Sequence, residues 1–283
     1  MRLSLLVLLP AFPTALGCAG TISGASDGVD AEASTTTSAV VAVERTADST
    51  EGSRAEASAR FIRVVAPSSA DDALRAIGAS LDLPASGSCA SLTSLTSAPA
   101  TQAPVVELLD VGSITLQADG VETRLAGRQL PDVTDVVSGV VYARATDPSL
   151  LPTSTRYAIH VAGGQGLEPF ELTATAPGDP GDVRIAGEDV PGTLTATGAS
   201  VDLSWPAEAN LADDVVYVDV RPNGVRCVLD GATPGHGSVS TLFLDDAGTL
   251  VVHRLRREPL SARGIDSGEV RFDLARTIAY VRR

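Results

Sequence analysis

Few residues in this chain of 283 could do chemistry: three histidines, three cysteines and three Asp-Asp pairs. His253 alternates with Val251 and Leu255, so on a strand it faces a core, where a hydrogen-bonded structural imidazole is expected rather than a ligand. His160 shares a strand face with Arg156 and is expected to be solvated. His236 lies in Gly235-His236-Gly237-Ser238, where a His and a Ser neighbour each other in a Gly-rich loop. Neighbours in sequence do not make a catalytic dyad, which is assembled across a fold, and no Gly-x-Ser-x-Gly elbow is present. An extracytoplasmic hydrolase with a dispersed loop site near His236 is therefore a rival reading, with no catalytic residue assigned.

Asp71-Asp72, Asp213-Asp214 and Asp245-Asp246 offer the carboxylate oxygens that calcium favours. None belongs to a loop with ligands at fixed spacing, and they read as helix-start charges, the start of a strand and a hairpin turn. No metal site and no cofactor are expected. Gly163-Gly164-Gln165-Gly166 follows a strand without a helix after it, which makes it a turn rather than a phosphate cradle. Aromatic residues are 4%, with Trp205 and Tyr217 inside strands, so few rings remain for a sugar-stacking platform. A glycan-binding module is the third reading.

The N-terminus is more specific. Arg2 is the only charge before the apolar run Leu3 to Leu9, followed by Pro10, Pro13 and Ala15-Leu16-Gly17-Cys18. A membrane-spanning helix needs about 20 apolar residues, so residues 1–17 read as a secretory signal peptide. Gly17-Cys18 resembles the lipobox of bacterial lipoproteins, with Ala15 and Leu16 in the reverse of that family's order. The whole chain is similar to lipoproteins of GC-rich Gram-negative bacteria. The resemblance implies that Cys18 carries lipid and anchors the protein to a membrane of the cell envelope, at the outer membrane or cell surface. Cleavage after Gly17 by an ordinary signal peptidase would give a secreted protein instead.

With Cys18 taken by lipid, Cys89 and Cys227 remain as an even pair in an oxidising compartment, where a disulfide is expected. It would close a loop of about 139 residues and contribute up to roughly 5 kcal/mol in the chain-entropy account. Two buried free thiols are the alternative.

These residues need elements to hold them. Residues 18–59 are mostly Ala, Ser, Thr, Gly, Asp and Glu without a period of 2 or 3.6, and read as a disordered linker. After residue 60, short Val- and Thr-rich runs return with turn residues every 8 to 12 positions, the pattern of an all-β sandwich. One short helix is expected over residues 69–78, with Ser69 as N-cap, Asp71 and Asp72 in its first turn and Gly78 at its end. Ala118-Asp119-Gly120 reads as a hairpin turn. Val140-Val141-Tyr142 echoes Val215-Val216-Tyr217, which points to two tandem modules, residues 60–180 and 181–283. Val201-Asp202-Leu203-Ser204-Trp205-Pro206 resembles the strand carrying the core Trp of fibronectin type III and Ig-like domains. That resemblance implies an Ig-like sandwich for the second module.

Charge narrows the partners. The net charge is −14 and all 21 basic residues are Arg. Residues 251–283 carry +4 and residues 18–250 carry −19. So acidic a body disfavours nucleic acid. The composite expectation is a non-enzymatic, membrane-anchored envelope lipoprotein of binding or structural role, its partner an envelope protein or a glycan.

Overall fold

The first strand lies inside the segment read as linker. β1 (Thr35–Asp48) and β2 (Arg54–Val65) form an antiparallel pair from Thr35 opposite Val65 to Thr46 opposite Arg54. Small residues alternate along both: Ala39, Val41 and Val43 on β1, and Ala55, Ala57 and Ala59 on β2, are buried on one face. The disordered-linker expectation for residues 18–59 is thus corrected for residues 35–48 and 54–59, the rest of the span lying mostly outside the described residues; on β2 the period of 2 is written in alanines, which bulk composition does not register. The computed structural model describes residues 34–48, 52–96, 104–133, 137–180, 183–185, 187–189, 192–205, 214–230 and 235–283. Residues 1–17, read as a signal peptide, and Cys18 lie outside them.

α1 (Ala70–Ala76) follows, with the Ser69 side chain accepting from the Asp72 N–H as its cap. Next come β3 (Cys89–Ser91), the one-turn α2 (Leu92–Thr96) and β4 (Val106–Leu108). β5 (Ile114–Ala118) and β6 (Val121–Val133) form a hairpin whose turn, Asp119-Gly120, has both φ values positive. β7 (Val137–Thr146), β8 (Arg156–Val161) and β9 (Phe170–Thr175) complete the first half. At Gly139, φ is +119° and a Cβ would collide with the Leu108 carbonyl, so only glycine lets β7 lie parallel to β4.

The second half contains β10 (Arg184–Ile185), β11 (Glu188–Asp189), β12 (Thr193–Ala196), β13 (Ser200–Ser204), β14 (Val215–Arg221), β15 (Val225–Val228), β16 (His236–Ser240), β17 (Ala247–Pro259) and β18 (Ser267–Arg282). β12 and β13 follow each other in the chain but part company. β12 pairs with β18, whereas β13 pairs with β10 and β16, and Gly198 at φ +83° turns the chain between them.

The protein is all-β. One 14-stranded sheet runs β3-β15-β14-β17-β18-β1-β2-β4-β7-β6-β5-β8-β9, with β12 beside β18, and β11-β10-β13-β16 form a second sheet. The two largest hydrophobic cores among the described residues are not divided at residue 180. The β17–β18 hairpin runs through both: Val270 and Phe272 belong to the first core, Ile278 and Tyr280 to the second. Along one edge of β18, β1 pairs with Ser267 to Thr277, and β12 then takes over from Ala279 to Arg282.

The first core is closed by aromatic contacts across the layers. Tyr157 meets Phe272 at 5.2 Å and Phe61 meets Phe170 edge-on at 6.3 Å. Each fully buried side chain of this size contributes about 1.5–3 kcal/mol. At the β9 edge, Glu258 accepts the Thr175 N–H at 2.9 Å while Arg256 donates to the Thr175 carbonyl at 3.1 Å. Two side chains of β17 thereby blunt an edge that could otherwise pair with another chain.

Candidate functional site

The greatest concentration of charge-bearing side chains below the surface lies on the face of β14, β17 and β18 turned away from the second core. Alternation puts Tyr217 and Asp219 of β14, His253 of β17 and Asp273 of β18 on this face, with Arg226 of β15 opposite Asp219. The Tyr217 hydroxyl donates to Asp273 Oδ2 at 2.7 Å, and His253 Nδ1 lies 2.9 Å from Asp273 Oδ1. A carboxylate only accepts, so Nδ1 carries the proton. The imidazole stacks on the Tyr217 ring at 4.2 Å, and the Arg226 guanidinium sits 4.8 Å from the same ring centroid. Arg226 forks onto Asp219 at 2.7 and 2.8 Å.

Electrostatics follow from this packing. Burial works to raise the Asp273 pKa, but the His253 hydrogen bond and charge, the Tyr217 hydroxyl and Arg271 together hold it below the ordinary carboxylate value. Burial, reinforced by Asp273, pushes the Tyr217 phenol above its ordinary value. At His253 Nε2 the bonding runs out. This buried atom has no hydrogen-bond partner and lies 3.8 Å from Asp219 Oδ2, beyond hydrogen-bond reach. The structural role expected of His253 therefore holds at one ring nitrogen only. An Asp-His pair acting as a base needs a nucleophile or substrate at Nε2, and here that nitrogen faces a carboxylate.

His236 is placed differently. β16 pairs with β13 so that His236 stands opposite Ser204 and Ser238 opposite Asp202. A serine, a histidine and an aspartate thus share one face of the small sheet, yet among the described residues no hydrogen bond joins His236 to either partner. The nearest bond is Ser200 Oγ to Asp202 at 3.3 Å, and the His236 side chain is exposed.

His160 pairs with Glu171 at 3.3 Å on the outer face of β5, β8 and β9. Two open troughs, of about 460 and 440 Å³, lie on this face, with Thr115 and His160 in one, Gln117, Arg156 and Thr173 in the other. The large rings are mostly elsewhere: Tyr157, Tyr217, Tyr280, Phe61 and Phe272 are fully buried.

Asp214, one of the calcium candidates, accepts from Arg254 Nε at 2.8 Å and Arg256 Nε at 2.6 Å. Asp213 lies outside the described residues. Asp72 pairs with Arg75 at the start of α1, and Asp245 and Asp246 stand exposed ahead of β17. Among the described residues, no group of three His, Cys, Asp or Glu side chains is arranged to hold a metal ion.

Cys89 and Cys227 are joined by a disulfide. The two residues stand directly opposite each other in the β3–β15 ladder, Cα atoms 4.0 Å apart. Cys89 thus belongs to a three-residue edge strand. The bridge ties strand to strand.

The class defined by this architecture is an all-β, disulfide-bridged protein. No protein family and no curated protein matches the chain. Among solved structures, it is similar to part of a 1.5-MDa bacterial ice-binding adhesin studied for retention at the host cell surface, at 14% identity and TM-score 0.20, over 88% of this chain and 66% of that one. It is also similar to the Mu homology domain of Danio rerio Fcho1 with a bound Eps15 peptide, at 10% identity and TM-score 0.21, over 87% of this chain and 97% of that one. At such TM-scores neither likeness carries an argument about fold or function.

Proposed function

We propose that the chain is a bacterial envelope lipoprotein, anchored through lipid on Cys18, whose all-β body binds or scaffolds another component of the envelope. The observation that carries this reading is the Cys89–Cys227 bridge, since disulfides form and persist mainly in oxidising, extracytoplasmic compartments. The apolar run ending in Gly17-Cys18 supplies the matching export and anchoring signal. With β1 beginning at Thr35, the link between anchor and body shortens to residues 19–34, an extended reach of at most about 55 Å.

The test is metabolic labelling with a radioactive fatty acid. Wild type is expected to incorporate label and sediment with membranes, and Cys18→Ser to be unlabelled and soluble. An unlabelled wild-type chain would refute the anchor.

A further inference from the structure

We propose that the Cys89–Cys227 bridge is a thiol-operated latch: its reduction by a dithiol frees residues 79–91 from the sheet and uncovers the apolar ground beneath them, while the remaining strands stay folded. These residues form a strap from the end of α1 to β3, lying across the face that carries Tyr217 and Leu255. The strap is held without a ladder over most of its length. Among the described residues, 81–84 make no backbone-to-backbone hydrogen bond. Three arginines on neighbouring strands instead reach its carbonyls: Arg271 to Ala79 at 3.1 Å, Arg257 to Leu81 at 2.7 Å and Arg226 to Asp82 at 3.1 Å. Leu81 and Leu83 pack on Tyr217, Val228 and Leu255.

The far end is fastened by β3, whose ladder is three residues long and lies at the edge of the sheet, and by the residues on either side of it, with the Leu92 N–H bonded to the Gly224 carbonyl at 2.7 Å. Val228 exchanges two backbone bonds with Gly87 and Ser88, both at 3.0 Å. So short an edge strand is marginal by itself, and the covalent bond makes it permanent. None of β1, β17 and β18 includes a residue of the bridge, and each pairs along its whole length with other strands.

The chemistry balances with a dithiol as reductant. Cys227 is buried and Cys89 half-buried, so the attacking thiolate reaches Cys89 Sγ and forms a mixed disulfide there. The Cys227 sulfur leaves as thiolate and takes up a proton. The reagent's second thiol then attacks the mixed disulfide, closes the reagent's own ring and releases the Cys89 thiol. Two electrons pass from dithiol to bridge, leaving two protein thiols.

Hydrogen exchange read by mass spectrometry on the full chain, with and without dithiothreitol, tests the latch. Local opening is expected to speed exchange at least about 10-fold in residues 80–91 and 225–228, with residues 40–44 and 270–274 unchanged. The Cys89→Ala, Cys227→Ala double variant should show the same pattern without reductant. Should that variant fail to accumulate, the reduced wild-type chain, folded before reduction, decides the question by itself. Unchanged protection of the strap after complete reduction would overturn the proposal, and so would a uniform loss of protection across both cores. Neither outcome bears on lipid at Cys18, which the labelling experiment tests separately.

Discussion

The molecule contains the same pair of side chains twice, and the two copies do different things. In one, the Tyr142 hydroxyl donates to Asp110 Oδ1 at 2.7 Å and accepts the Val111 N–H at 2.8 Å, while Asp110 Oδ1 also accepts the Gly112 N–H at 3.0 Å. In the other, the Tyr217 hydroxyl donates to Asp273 at the same distance, but the remaining partners are side chains: His253, with Arg271 nearby. The first pair shapes a surface loop, and its exposed carboxylate keeps water as a reserve partner. The second holds four strands in register in the interior, where every partner lost is lost outright. A tyrosine–aspartate bond has no fixed worth; what surrounds it decides.

Removing the buried carboxylate should widen the contrast most. Asp273→Ala strips His253 and Tyr217 of their common acceptor, while Arg271 keeps Glu44 and Glu269 as countercharges, and is expected to cost about 3–5 kcal/mol, the range for breaking a buried charge network. Asp110→Ala should cost about 1 kcal/mol, because the Gly112 N–H it leaves is exposed to water and the Tyr142 hydroxyl keeps the Val111 N–H. Urea unfolding of the two variants side by side measures both, and equal losses would erase the distinction. Next in size is loss of the hydroxyl. Tyr217→Phe takes one donor from a buried carboxylate, an effect of about 1.5–3 kcal/mol, whereas Tyr142→Phe should cost about 1 kcal/mol. A Tyr142→Phe loss larger than that of Tyr217→Phe would reverse the ranking.

The smallest effect is expected in pH dependence. Asp273 and Asp110 are both held below the ordinary carboxylate value, Asp110 chiefly by the Tyr142 hydroxyl and then by the Gly112 N–H. A carboxylate depressed in the folded state adds stability that is present above its unfolded value near 4 and lost as pH falls through its folded value. The acid side of the stability curve should therefore fall below about pH 4 and be flatter in both Asp273→Asn and Asp110→Asn, relative to each variant's own value at pH 7. Both tyrosines are shifted the other way, mainly by burial, so stability should also decline above about pH 10, where phenols in the unfolded chain ionise. Parallel acid limbs for wild type and both variants would count against either carboxylate as a source.

The sequence made the local features readable. The Ser69 cap and the Asp119-Gly120 turn each rest on a few adjacent residues, and each lies where that chemistry puts it. Parity found the Cys89–Cys227 bridge without any geometry. Missed were β1 and the first half of β2: Ala55, Ala57 and Ala59 write the alternation of β2 in small residues, and the Ala39 to Val43 run of β1 is buried on both faces and so has no period of 2. The charged array escaped for another reason. Alternation did turn His253 inward, but Asp219, His253 and Asp273 meet only through the β14–β17–β18 register, and no short window of sequence contains two of them. A boundary between consecutive modules at residue 180 is likewise not visible in the packing, because β18 serves both cores.

That β1 lies parallel to β18 has a mechanical consequence. From Ser38 opposite Ser267 to Asp48 opposite Thr277, the rungs between them run along the direction in which a pull on the chain ahead of Thr35 would act against the last strand. Such a load falls on the whole ladder in shear, so many hydrogen bonds must fail together. An antiparallel pair pulled from its open end would instead peel one rung at a time. A body hauled by its leading end is gripped here along the seam that resists tearing best.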